Sequence, residues 1–430
     1  MLSTWKKYRL GDLSTKITKG TTPSTVGGKF LDSGINYIKS EAVSYEGRID
    51  TSTFVYIDEE THEKLRRSQL EKDDILFSMA GIFLGKTGIV KPEMLPANTN
   101  QALAIIRLNK TLADPKFVQL FLRMPDTVRF VNNMSAQSAQ PNINLEEVGS
   151  LELDLPPLYE QQAIAEILSA FDDKIELNHQ MNKTLEEMAN ALYKHWFIDF
   201  GPFKNGKFIE SELGMIPEGW KAQKLQDITE VITKGTTPTT LKKQFVQTGV
   251  NFIKVESITE SGSFLTSKFA YIDDETDNLL KRSKILKDDV LITIAGTIGR
   301  IAIVPEYILP ANTNQAIGIV RANQTLVSPI YLMQSLKNNV IREQLFSNVV
   351  ESVQANLSLG VIGSTVVVVP DLEHRLVSSA LDRLKELYSL IEQNMVENQN
   401  LEAVRDYLLP KLISGEIRVK DADKALKEIV

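Results

Sequence analysis

WKKYRLGDLSTKITKGTTPST, Trp5 to Thr25, and WKAQKLQDITEVITKGTTPTT, Trp220 to Thr240, are one passage written twice. Trp220 stands 215 positions after Trp5 (220 − 5), and the offset holds through GINYIKSE (Gly34 to Glu41) and GVNFIKVE (Gly249 to Glu256). YIDEET answers YIDDET, and KDDIL answers KDDVL, at the same spacing. One residue is lost near Gly81 and Gly296, after which LPANTNQA recurs intact at Leu95 to Ala102 and Leu309 to Ala316. SAQPNINL (Ser138 to Leu145) and SVQANLSL (Ser352 to Leu359) are a weaker echo. Units of about 150 residues lie far outside the roughly 20–50-residue period of a solenoid. The chain contains a duplicated domain.

Working outward, 430 residues suit two or three domains, and 43% apolar with 24% charged residues is ordinary for a globular chain. No run approaches the roughly 18 apolar residues of a membrane span, and MLSTWKKYRL has no apolar signal region. The absence of cysteine excludes disulfides, thiolate metal sites and cysteine nucleophiles, and fits a cytoplasmic protein. A net charge of −7 argues against coating nucleic acid by charge alone, but leaves room for a local basic face.

Each copy reads as mixed α and β. Tyr37–Ile38, Ile75–Phe77 and Ala102–Leu108 are short β-prone runs bounded by Gly, Pro, Asn and Asp. Asp114-Pro115 and Ser328-Pro329 each put a capping residue before a proline, which predicts helices over Lys116–Arg123 and Ile330–Leu336. Leu151–Leu155 and Val366–Val369 are closing strands that stop at a proline.

Beyond each closing strand the period changes. Ile164, Leu168, Phe171, Ile175, Asn178, Asn182, Leu185, Ala189 and Leu192 step by fours and threes, a heptad seam. Leu384, Leu387, Ile391, Asn394, Asn398, Leu401, Arg405 and Leu408 repeat it, with asparagines at the same two positions. Seam asparagines cost stability but fix register, so Asn178 and Asn182 are expected to face Asn394 and Asn398 across an antiparallel pair. The alternative is two unrelated amphipathic helices with solvated asparagines. Phe200 to Trp220, rich in Gly, Pro and polar residues, reads as a linker. The expected order is a domain over 1–157, a long helix over 158–199, a linker over 200–219, a second domain over 220–371, a second long helix over 372–415 and a tail over 416–430.

Enzymatic motifs are missing. AGIFLGKT (Ala80 to Thr87) encloses three residues between Gly81 and Gly85 where a P-loop needs four, and the other copy, AGTIGRI, lacks Lys-Ser/Thr. Both read as glycine turns between strands. DLPPLY (Asp154 to Tyr159) has leucines where an aminomethyltransferase motif would hold its polar residue and its aromatic. His62, His179, His195 and His374 are scattered without metal-ligand spacing, so no metal site is expected. Asp73-Asp74 and Asp288-Asp289 are explained more simply by turn capping than by acid–base chemistry.

The arrangement resembles the specificity subunit of type I restriction–modification enzymes. The match rests on W…L-x-D…KGTTP in both copies, PPLYEQQAIAEIL (Pro156 to Leu168), the passage from ALYKHWFIDFGPFK to LGMIPEGW (Ala191 to Trp220), and YLLPKLISGEI (Tyr407 to Ile417). It covers nearly the whole chain. The second helix start, PDLEHRLVSSAL, lacks the EQ-x-x-I-A of the first. The resemblance implies an α+β chain with two target recognition domains, each reading one half of a bipartite duplex DNA site, on an antiparallel coiled coil. It implies two methyltransferase subunits that carry S-adenosylmethionine and methylate adenine N6, and two restriction subunits that use ATP and Mg. This chain would then be non-catalytic, hold no cofactor and touch no membrane. A helix of about 35 residues spans on the order of 50 Å, enough to set a spacer between half-sites. A paired-domain scaffold for a non-nucleic ligand, or an enzyme with an unrecognised site, are the readings that compete with it.

If the domains read DNA, contacts should come from polar loop residues present in both copies. The candidates are Lys19, Thr21, Thr22, Lys39, Lys86, Asn98, Asn100, Gln101, Gln140 and Asn142, with counterparts Lys234, Thr236, Thr237, Lys254, Arg300, Asn312, Asn314, Gln315, Gln354 and Asn356. Lys and Arg suit phosphate or guanine, while Asn and Gln can pair bidentately with adenine. A repeated NTNQ is equally what an asparagine-rich turn that shapes the fold would look like.

Overall fold

The computed structural model describes residues 5–81, 84–135, 142–346 and 356–422. The chain divides into two compact units, Met1–Glu176 with Asn398–Val430, and Leu177–Glu397. Each unit therefore owns one globular domain and a stretch of each long helix.

In the first unit, Ser14–Lys19, Leu103–Leu108, Ile75–Ser78 and Thr87–Ile89 form an antiparallel sheet in that order. Both of its faces are covered, which is why its central strands read as unbroken apolar runs. Ile75, Phe77, Ala104 and Ile106 face the main core, whereas Leu76, Leu103 and Ile105 face a smaller one. The smaller core is roofed by a three-stranded sheet, Val55–Ile57, Ile35–Ile38 and Ala97–Thr99, whose last two strands run parallel. Lys6–Arg9 pairs with Glu152–Leu155 to close the domain.

The second unit repeats this with Thr229–Lys234, Ile317–Ala322, Val290–Thr293 and Ile301–Ile303 in one sheet. Its other sheet holds Ala270–Ile272, Val250–Ile253, Ala311–Thr313 and Lys284–Ile285. Helices Pro115–Arg123 and Pro329–Lys337 lie where the proline signals place them. Asp114 caps the first through the amide of Phe117 at 3.0 Å. Ser328 makes no such bond, and its buried hydroxyl has no partner. Gly81 and Gly85, between the strands Ile75–Ser78 and Thr87–Ile89, take φ of 90° and 82°.

The long helices are Leu158–Tyr193, prolonged by a π-helical turn over Lys194–Ile198, and Arg375–Ile413. In each unit their segments pack antiparallel. In the first, Asn398 donates to the Ile175 carbonyl at 3.5 Å, and Arg405 reaches Asp172 at 2.8 Å. Asp172 also takes Arg123 at 2.7 Å, so one carboxylate anchors the domain and the opposite helix together. In the second, Asn178 donates to Glu397 and Asn394 donates to Asn182, both at 2.8 Å.

Two expectations are corrected. The stretch from Phe200 to Trp220 is a built element: Phe208–Ser211 and Gly214–Pro217 form a hairpin, with Phe203 and Ile216 buried. Trp220 sits among the rings of Phe197, Phe200 and Phe203, at 5.1–6.0 Å between centroids. Burial of that aromatic surface outweighs the local Gly and Pro signal. The segment after residue 415 is likewise packed as far as it is described, with Ile417 and Val419 on the first unit's core. Glu160 accepts from Trp5 at 3.3 Å and pairs with Arg418 at 2.7 Å. Gln161, fully buried, joins Asp114, Leu112 and Pro156. Glu160 thus ties Trp5 and Arg418 together, while Gln161 holds the helix start to the loop before Pro115. In the second unit Trp220 is held by aromatic rings instead, and Val377 is buried.

Candidate nucleic-acid interface

The KGTTP loop and the NTNQ turn are one structure. Gly20 follows the exposed Lys19 and lies so close to the Thr99 and Asn100 carbonyls that a Cβ would meet them at 2.1 Å. Gly235 is in the same position against Thr313 and Asn314, at 2.1 and 2.3 Å. Only glycine allows this approach, which lets Thr21 donate to Thr99 at 2.9 Å and Thr236 to Thr313 at 3.0 Å. The Thr22 hydroxyl donates to the Gln101 side-chain oxygen, and Thr237 does the same to Gln315. Asn100 and Asn314 use their oxygens to accept the amides of Ala102 and Ala316 at 3.2 Å, closing the turn.

Lys39 and Lys254 stand beside this loop. Each ammonium lies 4.7 Å from a ring centroid, over Phe30 and Phe245 respectively. Tyr37 donates its hydroxyl to the Thr21 carbonyl at 3.0 Å, and burial holds its phenol well above the ordinary range, so it stays a donor. Asn142 and Asn356 are exposed and come to the same edge through the backbone. Met79 donates to Ala102 and accepts from Ile143, and Ile294 bridges Ala316 and Leu357 in the same way.

Other candidates lie elsewhere. Asn98 and Asn312 are fully buried, so neither can reach a groove. The Asn98 amide donates to the Leu65 carbonyl at 3.2 Å and its oxygen meets His62; Asn312 donates to Asp277 at 3.1 Å. These amides satisfy the backbone beneath the three- and four-stranded sheets. Arg300 turns inward to the Val255 and Ile258 carbonyls at 3.3 and 2.5 Å, leaving its Nε buried without a partner. Its counterpart Lys86 lies 5.7 Å over the Tyr45 ring, away from the loop. Gln140 and Gln354 lie outside the described residues.

Arg67 and Arg282 are exposed cations that the motif reading missed. Lys16 donates to the Arg67 carbonyl at 3.3 Å, and the Arg282 guanidinium reaches the Thr236 hydroxyl at 3.4 Å. The repeated RRS and KRS triplets were the available signal. Among the described residues no group of three or more His, Cys, Asp or Glu could hold a metal, and no helix is long and apolar enough to cross a membrane.

Two copies of one small α+β domain, each with Lys, Thr and Gln on a loop braced by a glycine, define a duplicated-domain protein with the same polar loop in each copy. The family follows from comparison. Residues 2–187 and 217–403 match the model of the type I restriction modification DNA specificity domain, and the chain belongs to that family. The type I restriction enzyme HindI specificity subunit of Haemophilus influenzae is 24% identical, over 97% of this chain and all of that one. The MjaIX specificity subunit of Methanocaldococcus jannaschii is 25% identical, over 97% of this chain and 94% of the other. A solved S subunit from M. genitalium shares the fold at 17% identity with a TM-score of 0.56, covering 95% of this chain and 96% of that one. The chain is a DNA-recognition subunit, not a catalytic one.

Proposed function

We propose that each unit reads one half of a bipartite duplex DNA target, and that the long helices set the spacer and dock the methyltransferase subunits. The observation that carries this reading is the doubled KGTTP–NTNQ site, which offers the same lysine, threonine and glutamine groups in each unit. Lys19, Lys39, Arg67 and their counterparts supply charge for phosphate or guanine, and the glutamines supply base-edge contacts. Duplex DNA is one partner; two methyltransferase subunits and two restriction subunits are the others. S-adenosylmethionine belongs on the former, ATP and Mg on the latter, and the assembly works in the cytoplasm.

Because the two sites match so closely, the half-sites should be related in sequence and inverted, with one methylatable adenine on each strand. They should differ by a base or two, since Ser40, next to Lys39, is replaced by Val255, next to Lys254. Single-molecule sequencing of DNA modified by the assembled methyltransferase tests this. Two half-sites sharing bases beyond chance are the expected result.

A further inference from the structure

Each unit exposes one large aromatic side chain beside the recognition loop. Phe30 is 45% exposed and Phe245 is 37% exposed. A single exposed phenylalanine is ordinary on a protein surface. Here the same arrangement is built twice. Phe30 stands edge-on to the buried Tyr37 at 5.2 Å and 66°, and Phe245 stands edge-on to the buried Phe252 at 5.2 Å and 66°. Each ring carries a lysine ammonium at 4.7 Å. The ring is therefore fixed in orientation before anything binds. In the first unit Tyr37 ties it further to the KGTTP loop through the Thr21 carbonyl.

A phenyl ring has no donor or acceptor, so it cannot read the hydrogen-bonding pattern of a base pair. The apolar group that a major groove offers to such a ring is the 5-methyl of thymine. Insertion between base steps, the other use of an aromatic in DNA recognition, needs a free ring face for stacking. The ammonium of Lys39 or Lys254 covers one of the ring's two faces, so the ring cannot be sandwiched between bases as it stands. We propose that Phe30 and Phe245 each read the 5-methyl group of a thymine in their own unit's half-site, next to the base or phosphate taken by the adjoining lysine. This rests on the reading of each unit as a half-site reader.

The test uses the full chain assembled with its methyltransferase partner. Wild type first defines the bipartite motif by sequencing of modified DNA. Duplexes carrying that motif are then made with each thymine replaced, one at a time, by uracil, which removes only the methyl group. Wild type should lose about three- to fivefold in affinity at one thymine in each half-site, the change that burying one methyl group corresponds to. Phe30→Ser, which removes the apolar contact, should abolish that sensitivity in one half-site while the other stays as in wild type, which also shows that the chain is folded. Phe245→Ser should do the converse. Wild type indifferent to uracil at every thymine, or F30S retaining full wild-type sensitivity, overturns the proposal. Failure of wild type to yield any bipartite motif would instead overturn the half-site reading itself.

Discussion

The Thr22 hydroxyl donates to the side-chain oxygen of Gln101, and Thr237 repeats the bond to Gln315. A Gln oxygen that already accepts from threonine keeps one lone pair but is turned toward the loop, which disfavours bidentate pairing with adenine, where an acceptor and a donor are both needed. The side chain can still donate its amide hydrogens to guanine or to the thymine O4. Substituting Asn100 and Gln101 together by alanine should lower affinity and relax one half of the methylated motif. Thr22→Val, which frees the Gln101 oxygen, should raise tolerance for adenine at one position. Modified-motif sequencing reads both; an unchanged motif and affinity in the double variant would remove this pair from the site.

Arg107 grips Asp74 through two bonds of 2.7 Å, and Arg321 grips Asp289 at 2.7 and 2.8 Å. Both carboxylates are buried and also accept a turn amide, from Glu71 and Leu286 respectively. Removing one partner strands a buried charge, so Arg107→Ala should destabilise the first unit by about 3–5 kcal/mol. Urea unfolding checks the size; a loss under about 1 kcal/mol would mean that water reaches Asp74 easily.

Across the helix seam of the second unit, Asn182→Leu alone leaves the Asn394 amide without its acceptor and should be destabilising. Replacing Asn394 by leucine as well should recover stability, because two apolar side chains then meet. Thermal unfolding of the single and double variants gives the coupling. Additive losses would show that the two residues act independently.

The exposed helix caps Asp58 and Asp273 carry a pH signature. Each accepts a backbone amide, from Thr61 at 2.6 Å and from Thr276 at 2.7 Å. Both carboxyls are held below the ordinary aspartate value of 3.8. Their stabilisation is therefore complete above that value and disappears as pH falls through the lower folded value. Asp58→Ala should melt below wild type at pH 6, and the gap should close in strong acid. A gap independent of pH would contradict this.

Adding seven residues to both long helices lengthens each by about 10 Å. If the helices set the spacer, the modified motif should gain about three base pairs between unchanged half-sites, at 3.4 Å per step. Altered half-sites with the original spacer would contradict that role.

Much of this fold is legible in the sequence. The strands from Ile75 and Leu103 and the proline-started helices follow from local pattern, because each is fixed by neighbours in sequence, and the duplication is visible from the two copies side by side. Asn98 and Asn312 were misread as surface residues because their partners, His62 and Asp277, lie 36 and 35 positions away. An asparagine in a turn motif looks the same whether its amide faces water or a buried carbonyl. Arg300 misled similarly, since its acceptors are carbonyls more than 40 positions earlier. The packed stretch from Phe200 to Trp220 announced itself through its aromatics, but Gly and Pro dominated the local reading.

The central claim is that each unit reads its own half-site. It is tested most directly by sequencing DNA modified by the assembled complex, with wild type and with Lys234, Thr237 and Gln315 replaced by alanine. Wild type should give a bipartite motif, and the variant relaxed preference in one half with the other half and the spacer intact. A single continuous motif, or equal loss in both halves, would contradict it.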